Sequence, residues 1–247
     1  MSRGIVHLVG AGPGDPGLLT IKGRSLIEEA DVIVYDALVN PSLLLLNDDA
    51  EKIDVGKRGG DHTMGQEDIN KLLCELGKAG RKVVRLKGGD PFLFGRGAEE
   101  VEALRLEGVE VRVVPGVSSA IAVPELAGIP VTHRDHSSMV TFVTGHERAD
   151  RGEDRLNWSN LAACGGTIVI LMGMGNIGRI SAALIEGGLP SDTPAAVVTD
   201  GSTVNQRCLR SRLGDVAEDV SQKGLKAPGI IIIGDSVRSM DVLGDLG

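Results

Sequence analysis

Two glycine clusters bracket one short stretch of the chain, GGDPFLFGRG at 88–97, and the acids Glu99 and Glu100 follow it. Glycine has no Cβ, so a ligand can approach the backbone closely at Gly88 and Gly89. Asp90 offers carboxylate oxygens to amino or hydroxyl groups, and Pro91 holds the turn. Arg96 carries a planar guanidinium suited to pairing bidentately with carboxylates. Glu99, three residues on, shares its helical face and can orient it. The competing reading is an ordinary turn followed by a solvated ion pair of little energetic weight. The glycines on both sides of Arg96 favour a working side chain.

Other residues could join such chemistry. Asp36 ends DVIVYD, and ligands collect at the carboxyl ends of parallel strands. A solvated strand-end aspartate is the alternative. Lys57 and Arg58 in VGKRGG form a local positive site. His146 follows the strand-like MVTFVTG and could face a site, although a lone histidine is more often structural. His7, inside IVHLVG, is expected in the core.

Composition limits what these residues can serve. The chain has 247 residues, 42% of them hydrophobic, with 35 glycines, which suits an α/β protein rich in tight turns. Aromatics are 2% and the net charge is −8, which argues against nucleic acid as a partner. An acidic ligand therefore needs a local basic cluster. Cys74, Cys164 and Cys208 are scattered without CxxC spacing, so neither a metal site nor a disulfide frame is expected. The sequence has neither a leader-like apolar region nor a stretch long enough to span a bilayer, so no membrane association and a cytoplasmic location are expected.

The elements that must position these residues alternate. IVHLVG, DVIVYD, KVVRLK and VEVRVVPG are strand-like, with LLTIKGRSLIEEA, EDINKLLCELGKAG and GAEEVEALRLEG helical between or after them. SSAIAVPELAGI is a helix interrupted by a proline. The pattern pauses at PVTHRDHSS, near 130–138, and then resumes with MVTFVTG, NWSNLAA, TIVILMG, NIGRISAALIEGG, PAAVVTDGS, CLRSRLG, DVAEDVSQKG and IIIIG. Two α/β domains are expected, 1–135 and 136–247, each with a mainly parallel sheet.

Three glycine-rich turns follow strands: GAGPGDPG at 10–17, GGDPFLFGRG, and GMGNIG at 173–178. The last matches G-x-G-x-x-G, opens a helix, and has Asp200 at the end of the next strand. A dinucleotide site and a plain strand-to-helix turn both fit that context. The first loop has its third glycine one place early, and no G-x-x-x-x-G-K-[ST] occurs.

Taken in order, GAGPGDPGLLT, IVYDALV, VGKRGG, RLKGGDPFLFGRGAEE, VPGVSSA, TGH, LMGM and DGST resemble the tetrapyrrole methylases over nearly the whole chain. VGKRGG and GGDPFLFGRG are the most specific parts. Within that family the pattern is most similar to the branch that methylates uroporphyrinogen III. The resemblance implies two α/β domains with S-adenosylmethionine (SAM) in the cleft between them, no metal, and a homodimer. It places Met172 against the adenosyl group, so GMGNIG need not hold phosphates. The implied cofactor shell is Pro13, Gly88, Gly89, Asp90, Leu93, Ser118, Ser119, Met172, Gly201 and Ala227. The substrate it implies is a macrocycle with eight carboxylates, for which Arg96, oriented by Glu99, is the leading contact, joined by Arg58 and His146. Asp36 is implied as proton acceptor and Lys57 as proton donor.

Overall fold

The computed structural model describes residues 4–56, 64–145 and 156–247. It divides into two compact units, Met1–Ser118 and Ser119–Gly247.

The first unit is a sheet built from β1 (Ile5–Gly10), β2 (Val32–Tyr35), β3 (Glu51–Asp54), β4 (Lys82–Lys87) and β5 (Glu110–Val114). The order is β3-β2-β4-β1-β5 and every pairing is parallel. Helices α1 (Ile21–Glu28), α2 (Gln66–Lys78) and α3 (Gly97–Leu106) connect the strands. Side chains alternate across a strand, so each strand feeds two cores. Val6 and Leu8 of β1 and Val83 of β4 pack with Leu73 of α2 and Leu104 of α3. Val9, Val84 and Leu86 pack with Ile27 of α1. Thr20 starts α1 as its N-cap, its hydroxyl accepting from the Gly23 amide at 3.0 Å.

The second unit opens with α4 (Ser119–Leu126), which carries Pro124 inside it and packs against strands β7 (Thr167–Leu171) and β10 (Gly229–Ile233). The domain boundary therefore falls before this helix rather than near 135, because its apolar face (Ala120, Ala122, Val123, Pro124) belongs to the second sheet. The polar stretch at 130–138 is a short turn closed by a bridge between His133 and Ser137.

With β6 (Val140–Thr144), β8 (Pro194–Thr199) and β9 (Arg207–Arg212), the second sheet has the order β6-β7-β10-β8-β9. Helices α5 (Trp158–Cys164), α6 (Ile177–Glu186) and α7 (Val216–Gln222) share one core with it, and α8 (Met240–Leu243) lies near the end. This sheet is mixed, contrary to the expectation of a mainly parallel one. β6 and β7 are parallel, but β10 runs antiparallel to β7 and β8, and β8 antiparallel to β9. The chain reverses through the short 200–206 loop between β8 and β9. That single hairpin inverts every later strand, while on either side of it strand and helix still alternate along the sequence.

Candidate active site

In the first sheet β1 and β4 are neighbours whose chains leave in opposite directions. From β1 the chain crosses through α1 to β2, and from β4 through α3 to β5 on the other side. The crevice outside the carboxyl ends of two such strands is where open α/β sheets bind ligands. The loops that meet there are 11–20 and 88–96, two of the sequence's glycine loops. The Ala11 amide donates to the Lys87 carbonyl at 2.8 Å, and Gly12 and Gly89 form a backbone bridge. Pro13 is half-buried beside it.

The glycines of the second loop are there for different reasons. Gly89 has φ 65°, the left-handed region, so the backbone itself demands glycine. A Cβ at Gly95 or Gly97 would lie 2.6 or 2.4 Å from the Pro91 carbonyl oxygen. The bareness around Arg96 thus comes from the loop folding back on Pro91, not from a need to free the guanidinium. Gly88 is different. Its φ is outside the left-handed region, and a Cβ there would only touch the Leu38 Cβ at 3.5 Å, an ordinary contact. Neither backbone conformation nor packing among the described residues requires glycine at 88.

Asp90 works on its own loop. Oδ1 accepts from the amides of Phe92 at 2.8 Å and Leu93 at 3.2 Å, and Oδ2 accepts from the Gly116 amide at 3.1 Å. The carboxylate thereby ties the 88–97 turn to the end of β5. Oδ2, with one donor against the two on Oδ1, retains lone-pair capacity for a further donor.

Arg96 is the N-cap of α3, with φ 56°. Its guanidinium forms the fork with Glu99 that the spacing suggests, Nε to Oε1 at 3.0 Å and Nη2 to Oε2 at 2.6 Å. Both side chains are about half exposed, 50% and 53%. The hydrogen bond to Glu99 holds the guanidinium still more firmly in its charged form.

Asp36, just beyond β2, meets a buried charge network that the sequence reading missed. Arg85 Nη2 donates to Asp36 Oδ1 at 2.5 Å, and Lys87 Nζ stands 3.7 Å from Oδ2. Arg85 and Lys87 also reach Glu100 Oε1, at 3.2 and 2.9 Å. The signal lay in KVVRLK: an interior strand of a parallel sheet is covered on both faces, so charges at alternate positions must find buried partners.

In the second unit, Met172 follows β7, Gly201 follows β8 and Ala227 precedes β10. The pairing register brings these three to one end of the sheet, with Leu171 opposite Ile230 and Thr199 opposite Gly229. Met172 is 52% exposed. A Cβ on Gly201 would lie 2.4 Å from Val123 Cγ1, so packing on α4 explains that glycine. Ser118 ends the first unit and Ser119 begins α4. The same register disposes of the dinucleotide reading of GMGNIG. β10 lies between β7 and β8, so the strands bearing this turn and Asp200 are about 10 Å apart, two strand spacings, rather than adjacent.

Non-glycine residues in the left-handed region are uncommon, and such conformations gather at functional sites. Among the described residues they are Phe94, Arg96, Met172, Asp200 and Ser202. All five lie on the loops just described. Lys57, Arg58 and His146 lie outside the described residues. Among those described, no group of three His, Cys, Asp or Glu could hold a metal ion. No helix among them is long and apolar enough to cross a membrane.

Fold and loops together define a two-domain α/β protein with a topological switch point in its first sheet. The chain belongs to the tetrapyrrole (corrin/porphyrin) methylases, whose family model matches residues 6–217. It is 52% identical to the S-adenosyl-L-methionine-dependent uroporphyrinogen III methyltransferase of Methanosarcina barkeri, over 98% of this chain and 95% of the relative. It is 50% identical to the uroporphyrinogen-III C-methyltransferase of Methanocaldococcus jannaschii, over 96% and 98%. Among solved structures, the uroporphyrin-III C-methyltransferase of Thermus thermophilus complexed with S-adenosyl homocysteine superposes with a TM-score of 0.81 at 41% identity, covering 94% of this chain and 98% of that one.

Proposed function

We propose that the protein is a SAM-dependent methyltransferase that methylates uroporphyrinogen III at carbons 2 and 7, giving precorrin-2 for sirohaem- or cobalamin-type synthesis. The observation that carries a ligand at this site is Gly88: it lies at the switch point, and neither its φ nor its packing requires glycine. The choice of macrocycle is supported by two relatives about half identical over nearly the full length.

When bound, SAM supplies an activated methyl group on a sulfonium, with the sulfur keeping the bonding pair as the new carbon–carbon bond forms. The chain's own task is to align the nucleophilic pyrrole carbon and exclude water. The backbone of Gly88, Gly89 and Leu93, with Asp90, Pro13, Ser118, Ser119, Met172, Gly201 and Ala227, are the proposed cofactor contacts. Arg96, steered by Glu99, is assigned to substrate carboxylates, with Arg58 and His146. The methylated carbon becomes quaternary, so the macrocycle must shed a proton elsewhere. Asp36 is assigned as its acceptor and Lys57 as proton donor. A homodimer working in the cytoplasm is part of the same proposal.

The test is to incubate reduced uroporphyrinogen III with SAM and weigh the product by mass spectrometry. Two added methyl groups are expected. No gain with this substrate, but turnover of another macrocycle, would move the assignment within the family.

A further inference from the structure

Glu100 faces the sheet from the first turn of α3 and is 0% exposed. Three donors converge on its Oε1: Arg85 Nε at 3.2 Å, Lys87 Nζ at 2.9 Å and Gln66 Nε2 at 3.2 Å. Its other oxygen is buried and has no hydrogen-bond partner among the described residues. Arg85 and Lys87, on alternate residues of β4, are 1% and 3% exposed, and each also reaches Asp36. The result is a closed array in which each of two cations touches both carboxylates. Asp36, with its side chain 32% exposed, is the member that reaches the surface; the side chains of Arg85, Lys87 and Glu100 are 2%, 4% and 0% exposed.

Stability alone gives no reason for this array. Burying charges costs several kcal/mol each, and aliphatic residues of like volume are often as stable or more so. Two buried cations and a buried carboxylate converge on one partly exposed carboxylate, at the end of the strand beside the switch point. The anchored Nε of Arg85 fixes the plane of the guanidinium and hence the direction of its Nη2 toward Asp36. The second negative charge shares the cations, so that Asp36 does not face both alone.

From this we infer that Glu100 is a positioning residue for the methyl-transfer reaction, acting through Arg85 and Lys87 to aim and balance the Asp36 carboxylate. The inference rests on the reading of Asp36 as the proton acceptor. Glu100 touches neither substrate nor cofactor in this role.

The test uses Glu100→Gln, which keeps the shape and an acceptor oxygen but removes the charge, and the double variant Lys87→Met/Glu100→Gln, which restores charge balance in the buried array. For Glu100→Gln, kcat should fall about 10- to 100-fold, by analogy with the loss of outer-shell partners that orient metal ligands. SAM affinity by calorimetry and KM for the macrocycle should stay near wild type. The double variant should regain thermal stability but not kcat. In an Asp36→Asn background, followed in single turnovers, adding Glu100→Gln should cause little further loss, because residues acting as a unit are not additive. Wild-type kcat in Glu100→Gln, or recovery of kcat together with stability in the double variant, overturns the inference. Should Glu100→Gln not fold, the double variant decides alone by the same kcat criterion. Wild type, run alongside, separates the two readings: a wild type without turnover of uroporphyrinogen III defeats the functional proposal. An active wild type matched by the variants defeats only the positioning role.

Discussion

Gly12 and Gly89 exchange backbone hydrogen bonds, the Gly89 amide donating to the Gly12 carbonyl at 2.8 Å and the Gly12 amide to the Gly89 carbonyl at 3.3 Å. This exchange ties the loops after β1 and β4 into one platform across the switch point. Both residues are left-handed, at φ 79° and 65°, so a side chain at either would strain the platform itself. Gly88, the residue before Gly89, is under neither constraint and is the sharper probe of the ligand.

Gly88→Leu is therefore expected to fold normally and to lose SAM affinity by at least ~10-fold, equivalent to about 1.4 kcal/mol. A Cβ at Gly175, in the discounted dinucleotide turn, would meet no atom within 4 Å, and Gly175→Ala should bind SAM almost as wild type. Calorimetric titration of both variants, with thermal melts as the folding control, decides the point. Normal affinity in a folded Gly88→Leu would remove the cofactor from this crevice.

Arg96→Lys keeps the charge but loses the planar fork now seen on Glu99. Turnover of the macrocycle should drop by more than the ~1 kcal/mol typical of an exposed ion pair, while SAM affinity stays near wild type. Steady-state rates for Arg96→Lys and Arg96→Ala, set beside SAM titrations, measure this. Near-normal rates in both would leave Arg96 a solvated helix cap.

Gly201→Ala should destabilise by about 1–3 kcal/mol, the usual cost of overpacking. The new methyl would meet the short, stiff side chain of Val123 at 2.4 Å. Adding Val123→Ala should recover most of the lost stability, read by denaturant midpoints. SAM binding that returns in the double variant identifies Gly201 as a packing glycine; binding that stays lost identifies a direct contact.

His7 supplies a pH dependence of stability. Burial first, and then the charges of Arg112 and Lys22, hold its imidazole below the ordinary 6.5. As pH falls through 6.5 the unfolded chain takes up the proton before the folded one, so stability declines toward acid and is unaffected well above that pH. His7→Leu should flatten the fall in urea midpoint between pH 7.5 and 5, and the difference between wild type and variant isolates this residue. Parallel curves would mean that His7 titrates alike in both states.

The alternation of IVHLVG, DVIVYD and KVVRLK with amphipathic helices determined two α/β units, because the periods of strand and helix are local properties of the chain. The glycine loops likewise put Gly88 and Arg96 on one turn between β4 and α3, since a turn's chemistry is written in the residues that make it. Strand direction in the second sheet was another matter. It depends on the β8–β9 reversal, and a strand reads the same whichever way its neighbour runs. The boundary moved from near 135 to Ser118 because only packing shows which sheet claims the apolar face of α4. The reasons for the individual glycines were equally hidden: Gly89 answers to its φ, Gly97 to the Pro91 carbonyl and Gly201 to Val123, while Gly88 is under none of these three demands. Last, Glu99 and Glu100 are adjacent and chemically identical in the sequence. A helix turns about 100° per residue, so the first meets Arg96 in solvent and the second is carried under the sheet to Arg85 and Lys87.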